Sequence, residues 1–170
     1  MKATHSNQTV SPETPEANSQ FAGHASRHHS PELILIVDDD PNICDSLAEV
    51  LRAENYAVRL ADDGDDAVRQ FLQGPPDLVL LDLNMPNLNG WEAFRIMVQL
   101  YPYMPVIVIT ARPDQARRAA EVGIDVLLEK PLDIPLLLTT IRKLLAQPET
   151  AHFDRVSRAR RMHDDPGSQG

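Results

Sequence analysis

The chain has 170 residues, room for one ordinary domain of roughly 100–150 residues with extensions. It is 42% hydrophobic and 24% charged, and no run approaches the ~18 apolar residues of a membrane span, so the composition points to a globular protein and away from a membrane one. Its net charge is −9, all of it on residues 32–148, which carry 10 Lys or Arg against 19 Asp or Glu. A domain this acidic repels a phosphate backbone, so direct nucleic-acid binding by it is not expected. The first residues lack the apolar core of a secretory signal, which predicts a cytoplasmic location and no membrane partner. Cys44 is the single cysteine; it fits a reducing compartment and excludes both an internal disulfide and a multi-thiolate zinc cage.

Residues 1–31 are rich in Ser, Thr, Asn, Pro and His. With almost no large apolar side chain they cannot offset the entropy of ordering, and a disordered arm is expected; His24, His28 and His29 are scattered polar residues of that arm. Between the arm and the tail the pattern alternates. LILIV (33–37), DLVLL (77–81), PVIVIT (105–110) and DVLLE (125–129) are short runs apolar at nearly every position, as in parallel strands covered on both faces, and YAVRLA (56–61) is a weaker fifth. Asp40-Pro41 reads as an N-cap and first helical residue, followed by a stripe at Ile43, Leu47, Val50 and Leu51. Asp133 and Pro135 open a closing helix with its stripe at Ile134, Leu137, Leu138, Ile141, Leu144 and Leu145. Helices are also expected over 64–72, 91–100 and about 113–122, with Trp91 and Phe94 as core. Pro86 and Gly90 read as turn residues. The tail, 149–170, mixes charges and ends in Pro-Gly-Ser-Gln-Gly; it is expected to be disordered, with one basic helical turn over FDRVSRARRM as the alternative.

Five βα units are too few for an eight-stranded barrel, so the expected fold is α/β, an open doubly wound sheet of five parallel strands with five helices on its two faces, over residues 32–148. In such sheets chemistry sits outside the carboxyl ends of the strands. There the sequence places Asp38, Asp39 and Asp40 after the first strand, Asp82 after the third, Thr110 at the end of the fourth and Lys130 just past the fifth. Carboxylates gathered this closely repel one another unless a cation neutralises them, and an all-oxygen cluster suits a hard divalent ion such as Mg2+. Asp82 can then act as a nucleophile toward phosphorus, with Mg2+, Lys130 and the Thr110 hydroxyl each holding a phosphoryl oxygen. Asp40, followed by Pro41, reads as a cap and not as a ligand.

LILIVDDDPNI, LVLLDLNMPNLNGWE, VIVITA and LLEKPLD, in that order, resemble the receiver domain of two-component response regulators. The intervals fit: 43 residues from Asp39 to Asp82, 28 to Thr110 and 20 more to Lys130. The resemblance implies that Asp82 is phosphorylated by a histidine kinase or phosphotransfer protein. It implies that Asp39, Asp82 and the backbone carbonyl of Asn84 bind Mg2+ with Asp38 acting through water, that Thr110 moves toward the phosphoryl group, and that Lys130 pairs with it. Asn84 and Arg112 occupy positions that tune the phosphoryl lifetime in the family, and the Lys130-Pro131 bond is often cis there. One departure is Leu127, where the family usually has Tyr or Phe, which places in question how the phosphorylated state reaches the face built from the fourth helix, fifth strand and fifth helix. On that face Leu136, off the main stripe, fits either a homodimer or partner surface or a well-covered core.

The leading reading is thus a stand-alone receiver, a signalling phosphoacceptor that catalyses only its own phosphorylation and dephosphorylation and signals by binding an unidentified downstream protein. The alternatives are a phosphorylation-independent adaptor with the same fold, favoured by Leu127, and an aspartate-nucleophile phosphohydrolase of the haloacid dehalogenase class. The last wants an Asp-x-Asp pair after its first strand and a lid, whereas Asp82 follows the third strand with Asn84 at plus two.

Overall fold

In the computed structural model, which describes residues 30–85, 90–111, 119, 122–148, 150–154 and 157, the five apolar runs form β1 (Leu33–Val37), β2 (Ala57–Ala61), β3 (Leu78–Asp82), β4 (Val106–Thr110) and β5 (Val126–Glu129). All pair in parallel in one sheet of order β2-β1-β3-β4-β5. The chain steps outward from β1 to β2, then crosses to the other side of β1 for β3, so strand order reverses between β1 and β3. The intervening helices are α1 (Pro41–Ala53), α2 (Gly64–Gln73) and α3 (Gly90–Leu100), and α4 (Ile134–Leu145) follows β5.

Successive side chains of a strand point to opposite faces, and the core divides accordingly. Leu35, Val37, Val79, Leu81, Val106 and Val108 pack with Phe71 of α2 and Trp91, Phe94 and Met97 of α3. Their neighbours Ile34, Ile36, Leu78, Leu80, Ile107 and Ile109 pack with Leu47 and Leu51 of α1 and Leu137, Ile141 and Leu144 of α4. With both faces covered, each buried aliphatic side chain contributes roughly 1.5–3 kcal/mol, which is why the central strands carry no polar alternation. The fold is the expected doubly wound α/β sheet of the flavodoxin-like kind.

Aspartates set several of the element boundaries. Asp40, Asp63 and Asp133 each adopt an extended backbone and accept from an amide of the first turn of α1, α2 and α4, at Asn42, Asp66 and Leu136. Asn55, at φ 67°, follows the end of α1 in the left-handed region. Two further aspartates close the amino-terminal end of the sheet. Asp77 Oδ2 accepts from the Leu33 amide at 2.7 Å, and Asp125 Oδ2 accepts from the Val106 amide at 2.9 Å. Each lies just before a strand and not in it, so β3 and β5 begin one residue later than the apolar runs suggest, and β3 runs on to include Asp82.

The helix expected over 113–122 falls mostly outside the described residues; Ala119 and Val122 are helical, and Ala119 is buried. Residues 1–29 and most of the tail also lie outside them. The expectation of a disordered tail from residue 149 is corrected at residues 150–154, which are helical, with His152 buried and paired with Asp125. The contacts of that turn include the His152–Asp125 pair and the Phe153–Tyr103 stack, which leave no apolar stripe in the sequence. Among the described residues no helix is long and apolar enough to cross a membrane.

Candidate functional site

Parallel pairing brings the four predicted strand ends to one edge. Val37 pairs with Leu81, so Asp38 and Asp82, the next residue on each strand, are neighbours; Asp82 pairs with Ile109, beside Thr110, and Thr110 pairs with Glu129, beside Lys130. Asp38 and Asp82 are buried, at 3% and 4% exposure, Thr110 is fully buried, and Asp39 is exposed.

Each buried carboxylate is held at both oxygens. Asp38 Oδ1 accepts from the Asp40 amide at 3.0 Å and Asp82 Oδ1 from the Asn84 amide at 3.0 Å. The two Oδ2 atoms share one donor, Lys130 Nζ, 2.8 Å from each. The lysine is itself fixed, because its amide donates to the Thr110 carbonyl at 2.9 Å, and the Lys130-Pro131 bond is cis. Burial works against the ammonium, but the hydrogen bonds and charges of Asp38 and Asp82 outweigh it and hold the Lys130 pKa above its ordinary 10.5. Asn84 reaches across the mouth of the site, its side-chain amide 3.4 Å from Thr110 Oγ1.

The donor set fits a hard divalent cation. Asp38, Asp39 and Asp82 each offer a carboxylate oxygen within 4.8 Å of the others, all of the ligand atoms are oxygens, and with Lys130 the formal charge excess is two negative. Asp40 belongs to the helix. It is a cap, and the Asn42 amide and side chain hold its carboxyl below the usual range.

Two residues beneath the site were not singled out as part of it. Gly90, read as a turn residue, is the buried first residue of α3; a Cβ there would lie 2.2 Å from the Asp82 carbonyl oxygen and 2.7 Å from Leu83 Cα. Glycine is required because helix and strand backbones touch behind the acid. Its signal was positional, a glycine eight residues past Asp82 at the opening of an amphipathic helix. Cys44 of α1 donates its thiol to the Asp38 carbonyl at 3.3 Å; burial, with the Asp38 charge adding to it, pushes the thiol pKa up to about 11. Leu127 packs partly buried against the α2–α3 face of the core, and Leu136 is 52% exposed on α4, so the well-covered-core reading of Leu136 does not hold. Arg112 and residues 86–89 lie outside the described residues.

Comparison with known proteins bears on this arrangement. The family described as response regulator receiver domain matches residues 34–142. The response regulator MprA of Mycobacterium sp. (strain KMS) is 38% identical over 117 residues, 68% of this chain and 51% of that protein. MprA of Mycobacterium leprae is 39% identical over 114 residues, 66% of this chain and 50% of its own length. The chain therefore spans about half the length of these relatives. Among solved structures, a CheY-like response regulator receiver domain protein from Methanospirillum hungatei superposes with a TM-score of 0.65 at 30% identity, covering 68% of this chain and 94% of that one. Response regulator TrrA of Thermotoga maritima, solved in complex with Mg(2+)-BeF, gives a TM-score of 0.63 at 31% identity, covering 66% of this chain and 98% of that one. With its sheet order, its edge of acids and its match over residues 34–142, the chain belongs to the response regulator receiver family of two-component systems.

Proposed function

We propose that Asp82 accepts a phosphoryl group from the phosphohistidine of a histidine kinase or phosphotransfer protein, in a Mg2+-dependent reaction, and that the chain signals from the cytoplasm by protein–protein contact. The observation that carries this reading is the shared clamp: one ammonium bonded to two buried carboxylates, with a third carboxylate beside them and a hydroxyl at the next strand end. Asp38, Asp39, Asp82 and the backbone carbonyl of Asn84 would hold Mg2+, which supplies charge neutralisation for the transferred group.

The chain's own part is positioning. An Asp82 oxygen forms the new bond to phosphorus as the donor's nitrogen–phosphorus bond breaks, its electron pair returning to the imidazole. Lys130, already between Asp38 and Asp82, pairs with the phosphoryl oxygens, and Thr110, walled in at the end of β4, offers its hydroxyl to another. The Asn84 amide steadies the Asp82 oxygen that it holds. Self-catalysed phosphorylation and dephosphorylation are the only chemistry assigned. That the Thermotoga relative was solved with Mg(2+)-BeF supports the ion by analogy.

Incubation with Mg2+ and acetyl phosphate is expected to add one acid-stable, base-labile phosphoryl group to the wild type and none to Asp82→Asn. No gain under donor excess would favour the adaptor, for which Leu127 at the usual aromatic position speaks. Steady turnover of varied phosphate esters would favour the hydrolase.

A further inference from the structure

The end of the sheet remote from Asp82 carries a second buried polar cluster. The carboxylate of Asp125, directly before β5, is nearly inaccessible; its Oδ2 accepts from the Val106 amide that opens β4, and its Oδ1 lies 2.7 Å from Nδ1 of the buried His152. The next residue, Phe153, stacks on Tyr103, with ring centroids 5.2 Å apart and an interplanar angle of 19°. Both rings are more than a third exposed, whereas the side chains of the pair are nearly inaccessible. The turn is joined to α4 through Pro148, whose carbonyl accepts from the Ala151 amide at 2.9 Å.

β5 is where such an anchor matters. It is one of the two edge strands, it pairs with β4 alone, and none of its four residues is fully buried, so few contacts besides that ladder hold it. A docked turn bonded to Asp125 adds a tie at its leading end.

We propose that residues 150–154 form an intramolecular strap with a docked and a released state, keyed by His152 on Asp125, which braces the leading end of β5 and covers the Tyr103 ring. The pair is the key and the ring stack an accessory, because a buried carboxylate that loses a donor incurs a desolvation cost, whereas a rim contact already shared with water forfeits less. This stands on the fold alone and does not depend on phosphorylation of Asp82.

Amide hydrogen exchange on the full chain tests it. In the wild type, residues 150–154 are expected to exchange at least about tenfold more slowly than the same sequence as a free peptide. His152→Leu, which removes the imidazole and keeps apolar bulk, should bring them close to the peptide rate and speed Val106 and the β5 amides at least about fivefold, with Ile36 and Leu80 unchanged. Phe153→Ser, which leaves the pair intact, should produce a smaller acceleration. Peptide-like exchange of the turn in the wild type would overturn the docked state. Release by Phe153→Ser but not by His152→Leu would overturn the assignment of the key, and a released turn with β5 unaffected would overturn the brace. If His152→Leu fails to fold, Phe153→Ser still reports whether the turn is docked.

Discussion

Replacing Lys130 with methionine removes the ammonium bonded to both Asp38 and Asp82 while keeping the aliphatic stem. Its Nζ lies 2.8 Å from an oxygen of each, the lysine side chain is 21% exposed and the two acids are nearly inaccessible. Truncating one partner of a buried ion pair typically costs 3–5 kcal/mol; partial exposure of the lysine places this case near the low end, about 3 kcal/mol. Urea denaturation in EDTA at pH 8 measures it directly. The pKa of Lys130 is raised in the folded state, so its contribution is fully present below the ordinary 10.5 and is lost as pH rises through the higher folded value; the gap between the two proteins should close above that range. Mg2+ supplies a second readout. The variant lacks the ammonium that repels the ion, so it should bind Mg2+ more tightly and gain more stability from it, about 2.7 kcal/mol at a hundredfold excess over its dissociation constant. Equal stability of the two proteins in EDTA, or an equal gain from Mg2+, would refute the shared-clamp reading.

Asp39→Asn has the opposite sign, because Asp39 is the exposed acid of the trio and has no bond to Lys130; it should raise the urea midpoint slightly in EDTA and weaken Mg2+ binding about tenfold or more by titration calorimetry. Gly90→Ala forces a Cβ to within 2.2 Å of the Asp82 carbonyl oxygen, against backbone that cannot rotate away, and should cost at least about 1–3 kcal/mol and slow phosphorylation by acetyl phosphate; a variant with unchanged urea midpoint and rate would remove Gly90 from the site's support. Cys44, its thiol pKa raised from 9.0 to about 11, should react with a disulfide reagent at pH 8 about a hundredfold more slowly than free cysteine from thiolate content alone, and more slowly still through burial. A rate near that of free cysteine would contradict the packing beneath Asp38.

What the sequence conveyed about the fold is what local physics writes into it. Continuous apolar runs marked the strands because both sheet faces are covered, and Asp40 and Asp133 marked helix starts because a carboxylate before a proline-bearing first turn has few other uses. The strand starts were less legible. Tyr56, Pro105 and the aspartates 77 and 125 precede their strands, and a polar residue that accepts from a neighbouring strand's first amide looks, in sequence, like the beginning of its own run. The acidic edge was legible through the rule that parallel strands present their carboxyl ends together. Gly90 and the His152–Asp125 pair were not, because the first depends on which backbone lies behind it and the second joins residues 27 apart with no periodicity between them.

The register also explains which side chains meet along that edge. Val37 opposite Leu81 makes Asp38 and Asp82 adjacent although 44 residues separate them, a direct result of strand order reversing between β1 and β3. Lys130 comes from beyond β5 and must cross β4 to reach them, and neighbouring strands are about 4.8 Å apart, so β3 lies roughly two spacings away and β1 three. A lysine stem with short acids leaning toward it closes that gap, its Nζ 2.8 Å from an oxygen of each. Thr110, fully buried at the end of β4, pins the Lys130 amide through its carbonyl. A long acceptor side chain at Asp82 or Asp38 would separate the ammonium from one carboxylate. The clamp therefore depends on the parallel register from β1 through β5, and a shift at any one ladder would part the ammonium from a carboxylate.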